Sequence, residues 1–66
     1  MKIFVNGEQK QVPQSCSIQD LLILMDMAGQ RLAVEVNEEI VAKSRHEEHV
    51  FNEADKVEIV RAIGGG

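Results

Sequence analysis

The 66-residue sequence is poor in the groups that small domains often use as staples: it has one cysteine, one proline, two phenylalanines and neither tryptophan nor tyrosine. A lone cysteine excludes an internal disulfide, and the CxxC spacings of zinc modules are absent. No apolar run approaches the roughly 18 residues that span a bilayer. The first apolar run, residues 3–5, leaves no room for a signal-peptide core. The fold must therefore rest on aliphatic packing, which a hydrophobic content of 44% can supply.

Positive charge is also scarce. Seven Lys and Arg residues stand against eleven Asp and Glu residues, for a net charge of −4, and eight of the acids fall within residues 35–58. Without a basic cluster, the chain lacks the electrostatic footprint of a nucleic-acid-binding protein. The acidic excess fits either a solvated surface or a basic partner surface. Together with the single thiol, which suits a reducing compartment, these features predict a cytoplasmic protein that binds neither nucleic acid nor a membrane.

The N-terminal segment predicts a β-hairpin. Residues 1–6 alternate apolar side chains as a half-buried strand does. Asn6 and Gly7 follow, and this pair is the strongest short signal for a type I′ turn, because both residues tolerate positive φ. A second strand over residues 8–12 should return antiparallel to the first and stop at Pro13, which has no backbone N–H.

One amphipathic helix follows. Ser17 is the expected N-cap, Asp20 is favourably placed in the first turn, and Gly29 is the expected C-cap. The apolar stripe is wide enough to predict a well-buried helix. Its members are Ile18, Leu21, Leu22 and Met25, widened by Ile23, Leu24 and Met27.

The second half of the chain alternates again and predicts three more strands. The Ser44–Glu47 spacing matches a capping box and predicts a brief helical turn before the last strand. The expected strands are residues 31–36, 40–42 and 56–62. One helix with four or five strands predicts an α+β fold in two layers, with the helix packed across one face of a sheet.

Three glycines, Gly64, Gly65 and Gly66, come directly after the predicted last strand. We therefore divide the chain into a domain over residues 1–63 and a flexible tail over residues 64–66. A frayed end is one interpretation of such a tail. The other is functional: a thread without side chains can enter a narrow enzyme channel and place a terminal carboxylate beside a nucleotide phosphate, where it can be activated as an acyl-adenylate.

Several segments together make the chain similar to a known family. They are Met1–Gly7, the helix start Ser17–Leu22, the strands Val34–Asn37 and Ile40–Val41, and the ending Val57–Gly66. Over essentially its whole length the chain resembles the ubiquitin-like sulfur carriers, most closely the thiamine-biosynthesis carrier family, ThiS. It departs from the family pattern at Ala54, where glycine is common, and at Ala42, where proline is common.

The resemblance implies a β-grasp fold, with a mixed sheet in which the first and last strands are parallel neighbours at the centre. It also implies a sulfur cycle. A ThiF-like adenylyltransferase uses ATP and magnesium to adenylate the Gly66 carboxylate, a cysteine-derived sulfur donor enzyme supplies sulfur, and thiazole synthase takes the sulfur from the resulting thiocarboxylate. The carrier itself would be a co-substrate rather than an enzyme, would bind no cofactor or metal, and would be a monomer when free.

A candidate partner surface follows from strand alternation. If Ile3 and Val5 face the helix, Phe4 points to the opposite face of the sheet, and Val60 and Ala62 on the last strand should point the same way. Arg61 and Ile63 lie beside them and complete the candidate surface, from which Gly64 and Gly65 lead Gly66 into partner active sites. A single exposed apolar residue would need no such explanation.

Other chemical groups have weaker interpretations. Cys16 invites a sulfur-relay role, but a thiol before a helix is more often a small packing residue. His46 and His49 have a spacing that can bind metal, but without a third ligand a solvated face is the expected outcome. Met25 and Met27 fit gap-filling positions.

Three alternative functions stay open. The small subunit of molybdopterin synthase shares the fold and the tail. A ubiquitin-like modifier would join its C-terminal glycine to lysines of other proteins. A β-grasp binding module with an incidental glycine tail is the third.

Overall fold

The computed structural model describes residues 1–61, so the predicted tail and the end of the predicted last strand, residues 62–66, lie outside the described residues. Five strands form one sheet in the order β2-β1-β5-β3-β4. The elements are β1 (Lys2–Val5), β2 (Glu8–Gln11), α1 (Ile18–Leu24), β3 (Leu32–Val36), β4 (Glu39–Val41) and β5 (Lys56–Arg61), with a 3-10 helical turn at Lys43–Arg45. The predicted α+β class, the mixed sheet of four or five strands and the helical turn before the last strand are confirmed, and the sheet has five strands.

The last strand of the sequence lies in the middle of the sheet. β5 pairs in parallel with β1, with Phe4 opposite Lys56 and Val5 opposite Val57. On its other side β5 pairs antiparallel with β3 from Val57 to Arg61. The predicted parallel pairing of the first and last strands is confirmed, and Arg61, the last described residue, lies on the central strand.

Both hairpins turn through residues with positive φ. Asn6 has φ of 51° and Gly7 of 85°, as the sequence signal predicts, and the second turn uses Asn37 at 52° and Glu38 at 71°. Asparagine tolerates this left-handed region better than most residues do, whereas glutamate is not favoured there. Ala54 lies at φ 69° in the turn before β5, where the family pattern favours glycine.

Helix α1 begins where the sequence predicts. The Ser17 side chain accepts from the Asp20 N–H at 3.0 Å, and the Asp20 carboxylate accepts from the Ser17 N–H at 3.1 Å, which makes a capping box. The loop after the 3-10 turn satisfies another helix-terminal group, because the Ile18 N–H donates to the His49 carbonyl at 3.0 Å. The helix start is therefore fixed both locally and by the loop between β4 and β5.

The predicted helix end at Gly29 is wrong. The helix stops at Leu24, and Asp26 takes the left-handed conformation, with φ of 59°. The Met27 N–H then donates to the Leu22 carbonyl at 2.7 Å, which is the closing bond of a Schellman motif. Aspartate is one of the few non-glycine residues that enter this conformation readily, so Asp26 ends the helix before the glycine is reached.

The helix is also less buried than predicted. Ile23 is 58% exposed and Leu24 is 59% exposed. The helix is only about two turns long, and these two positions lie on the side that faces away from the sheet. The predicted capping box at Ser44 is wrong as well: the 3-10 turn begins after Ala42 without a side-chain cap. The buried apolar core lies between α1 and one face of the sheet. It contains Ile3, Val5, Val12, Cys16, Ile18, Leu21, Leu22, Val34, Val36, Phe51, Val57 and Ile59.

Candidate functional site

The open face of the sheet, on the side away from α1, holds Phe4 and Val60 of the candidate partner surface. Phe4 is half-buried there, with the Lys2 Nζ 5.7 Å from its ring centroid. Val60 lies on the same face and is 54% exposed. Arg61 is exposed at the end of β5, but alternation places it on the other face of the sheet, on the same side of the strand as Val57 and Ile59. Ala62 and Ile63, the other members of the predicted surface, lie outside the described residues, as do Gly64, Gly65 and Gly66.

Two features of this face were not singled out from the sequence. Ile40 on β4 is 73% exposed, and it stands opposite Glu35 of β3. Glu35 in turn stands directly opposite Glu58 of β5, and neither carboxylate forms an ion pair within residues 1–61. Like charges directly across a sheet are destabilising. The open face is therefore a mixture of exposed apolar side chains and an uncompensated acidic pair.

The start of β5 is anchored by side chains. The Lys56 N–H donates to the Asn37 Oδ1 at 3.0 Å, and the Asn37 Nδ2 donates to the Asp55 carboxylate at 3.0 Å. That carboxylate also accepts from the Asn52 N–H at 2.8 Å. Asp55 is buried, so its hydrogen bonds are needed to offset the loss of water. The turn before β5 is therefore a hydrogen-bonded anchor for the strand.

Cys16 is a packing residue in this structure. It is 2% exposed, and its Sγ donates to the Ser17 carbonyl at 3.5 Å. Burial raises the pKa of the thiol, and the nearby Asp20 carboxylate raises it further. A thiol that is buried and held protonated is a poor nucleophile, which argues against a relay role.

The two histidines differ from each other. His46 is buried, and its Nε2 lies 3.1 Å from the Val41 carbonyl oxygen, so the expected solvated face is wrong for this residue. His49 is half-buried and makes an edge contact with the Phe51 ring. Within residues 1–61 no three His, Cys, Asp or Glu side chains are grouped so that they could hold a metal ion.

Met25 and Met27 pack against the edge of the core as partly buried side chains, which fits the gap-filling positions expected from the sequence. No helix in the described part of the chain is long and apolar enough to cross a membrane.

Comparison with known families decides what kind of domain this is. A model of the ThiS family matches residues 3–66. The chain belongs to the ThiS family. The match covers the helix, the three terminal glycines and all of the sheet except Lys2. The resemblance seen in the sequence is therefore confirmed.

Individual ThiS relatives and structures agree with this assignment. The crystal structure of the thiamine biosynthesis protein ThiS from Geobacter metallireducens superposes with a TM-score of 0.86 at 28% identity, covering 100% of both chains. The sulfur carrier protein ThiS of Bacillus subtilis is 40% identical over 50 residues, which are 76% of each chain. A thiazole synthase of Paramagnetospirillum magneticum is 41% identical over all 66 residues. The chain spans only 20% of the length of that protein and of a second thiazole synthase.

Proposed function

We propose that this ThiS-family protein is a sulfur carrier for the thiazole ring of thiamine, and that the carboxylate of Gly66 is the reacting group. The observation that carries the proposal is the family match, which reaches residue 66 and so includes Gly64 and Gly65. The central position of β5 supports it, because the residues after Arg61 continue from a strand held on both sides.

The chemistry exchanges one carboxylate oxygen for sulfur. An oxygen of the Gly66 carboxylate attacks the α-phosphorus of ATP and releases pyrophosphate, which leaves an acyl-adenylate. A sulfur nucleophile then attacks the acyl carbon, and AMP departs with the original carboxylate oxygen. Sulfur that arrives as a persulfide brings an S–S bond, which a thiol must reduce before the thiocarboxylate is free.

Partner proteins supply the catalysts in this scheme. We assign adenylation, with ATP and magnesium, to a ThiF-like adenylyltransferase, sulfur delivery to a cysteine-derived donor enzyme, and sulfur use to thiazole synthase. Relatives in which a segment like this chain is part of a thiazole synthase support the last assignment. The carrier would then be a co-substrate and not an enzyme. Its cytoplasmic location and monomeric state stay predictions.

The open face is the surface on which these partners would dock. Phe4 and Val60 offer an apolar patch on this face, and the exposed Arg61 at the end of β5 adds a positive charge beside the start of the tail. The acidic pair of Glu35 and Glu58 would be compensated by a basic side chain of the partner, which also speeds encounter. Ala62 and Ile63 belong to the proposed surface by sequence alone.

Genetic rescue tests the proposed function. A thiamine-requiring bacterial strain that lacks its own carrier should grow without thiamine when it expresses the chain ending at Gly66. The same chain without Gly65 and Gly66 should give no growth at an equal protein level. Full rescue by the shortened chain would contradict the proposal.

A denaturing gel distinguishes a sulfur carrier from a ubiquitin-like modifier. Bands of this protein covalently joined to other proteins would favour a ubiquitin-like modifier, whereas a thiocarboxylate without such conjugates favours a sulfur carrier. The small subunit of molybdopterin synthase would fail to restore thiamine synthesis, so the rescue experiment tests that alternative too.

A further inference from the structure

The β1–β5 ladder is continued by a side chain where β1 ends. The Phe4 N–H donates to the Asp55 carbonyl at 2.9 Å, as in any parallel ladder. The Asn6 N–H donates to the Val57 carbonyl at 2.8 Å. The positive φ of Asn6 then turns the backbone into the hairpin. From there the Asn6 amide takes over: its Oδ1 accepts from the Ile59 N–H at 2.9 Å, and its Nδ2 donates to the Ile59 carbonyl at 3.3 Å.

This amide therefore stands in for the next peptide group of β1. It binds both backbone groups of Ile59, which lies 53 positions away in the sequence. On its other side Ile59 stands opposite Val34 of β3. Ile59 thus lies between Asn6 and β3, two residues before Arg61, and both of its backbone groups bond to Asn6.

Asn37 has the same geometry at the other end of β5. Its φ is 52°, compared with 51° for Asn6, and both residues occupy the first position of a two-residue hairpin turn. Its side chain also binds the backbone of β5, through the Lys56 N–H. The two asparagines therefore anchor opposite ends of one strand, and only Asn6 does so near the tail.

We propose that Asn6 is a positioning residue for adenylation: by binding Ile59, it holds the β1 side of β5, the strand from which the segment ending in Gly66 extends to the partner's nucleotide. The inference rests on the proposed function. If the partner holds the domain by the open face and the chain end in its channel, the residues after Arg61, the last residue that β3 pairs, must span a set distance. Without the Asn6 bonds the end of β5 is held by β3 alone, so its position varies more and the effective concentration of the carboxylate at the nucleotide falls.

Substitution by glycine tests this with little damage to the turn. Asn6→Gly keeps a residue that accepts positive φ and removes only the amide. Asn37→Gly is the matched control, because it makes the same change in the same kind of turn at the far end of β5. The reaction to measure is ATP–pyrophosphate exchange catalysed by the adenylating partner, with the carrier titrated to saturation.

We expect Asn6→Gly to lower the turnover at saturating carrier by about three- to tenfold, with an unchanged KM for the carrier because the open face is intact. Asn37→Gly should keep the wild-type turnover. Asn6→Asp should fall between wild type and Asn6→Gly, since aspartate can accept from the Ile59 N–H but cannot donate to its carbonyl. Amide hydrogen exchange at Ile59 should be faster in Asn6→Gly than in Asn37→Gly.

Two outcomes would overturn the positioning role. One is equal turnover in wild type and Asn6→Gly. The other is an equal loss in Asn6→Gly and Asn37→Gly, which is what a general loss of stability produces. Failure of the proposed function looks different, because the wild-type chain itself would then support no exchange, and that result would overturn both proposals.

Discussion

The two faces of the sheet use the same strands for opposite purposes. On the covered face, side chains such as Ile3, Val34 and Val57 are no more than 1% exposed and pack under α1. On the open face, the residues between them leave Val60 54% exposed and set Glu35 directly opposite Glu58. The alternation of a strand allows this division, since neighbouring side chains point to opposite faces.

The contrast between the two faces shows which part of so small a domain provides its stability. A chain of this size buries only about 60% of the surface of its unfolded form, so the covered face must supply nearly all of the stability. An apolar surface and a like-charge pair on the open face contribute little to stability or oppose it. Their presence makes sense if a partner covers them.

The largest effect should come from cutting into the covered face. Leu21 is fully buried, so Leu21→Ala should lower the free energy of unfolding by about 2–4 kcal/mol. Leu24→Ala on the same helix is the matched control and should cost far less, because that side chain is 59% exposed. Urea unfolding followed by circular dichroism measures both. Equal losses of stability would contradict the difference in burial between Leu21 and Leu24.

A charge on the open face should have the opposite profile. Val60→Glu should weaken binding to the adenylating partner by about tenfold, or roughly 1.4 kcal/mol, while the melting temperature changes little. Ile23→Glu makes the same chemical change on the helix, at a residue that is 58% exposed, and should bind like wild type. Titration calorimetry gives the affinities. Equal binding by both variants would remove the open face from the proposed docking surface.

The turns should respond to backbone geometry alone. Ala54 has φ of 69°, so Ala54→Gly should raise the free energy of unfolding by roughly 0.5–1 kcal/mol, because the relief of strain exceeds the entropy that glycine loses. Gly7→Ala should lower it, although nothing lies within 4 Å of the added Cβ, because φ at that position is +85°. Thermal unfolding measures both changes. A loss of stability in Ala54→Gly would contradict the strain argument.

The smallest effect should be the pH dependence of the buried thiol. Burial raises the pKa of Cys16 above its ordinary value of 9.0, so above that pH the unfolded chain loses the thiol proton before the folded one does. The contribution of this group to stability is therefore complete below pH 9.0 and falls as the pH rises further. The difference in unfolding free energy between wild type and Cys16→Ala should shrink over this range. A constant difference would show that the thiol titrates alike in both states.

Local signals were enough to predict much of the fold. The Asn6-Gly7 turn, the Ser17 cap with Asp20, and the alternating strands depend on residues close in sequence, and all are present in the structure. The helix end was missed because two residue types can take the left-handed conformation, and the first of them, Asp26, ends the helix before Gly29. The exposure of Ile23 was missed because an apolar stripe shows which face of a helix is buried, but not how far the sheet beneath the helix extends.

The candidate site was less accessible to sequence reasoning. Alternation places Phe4 and Val60 on one face, but the Glu35–Glu58 pair depends on strand register, which only the assembled sheet fixes. The bonds between Asn6 and Ile59 cross 53 positions, and no local pattern marks them. The tail residues were chosen from glycine chemistry and family resemblance, and their role stays a prediction.

Intact-protein mass spectrometry tests the central claim most directly. The chain ending at Gly66 is incubated with its adenylating partner, ATP, magnesium, a cysteine-derived sulfur source and a thiol reductant, beside a chain that lacks Gly66. We expect the first to gain the mass difference between one sulfur and one oxygen, while the second keeps its mass and its fold. The same gain in the chain without Gly66, or no gain in either, would contradict it.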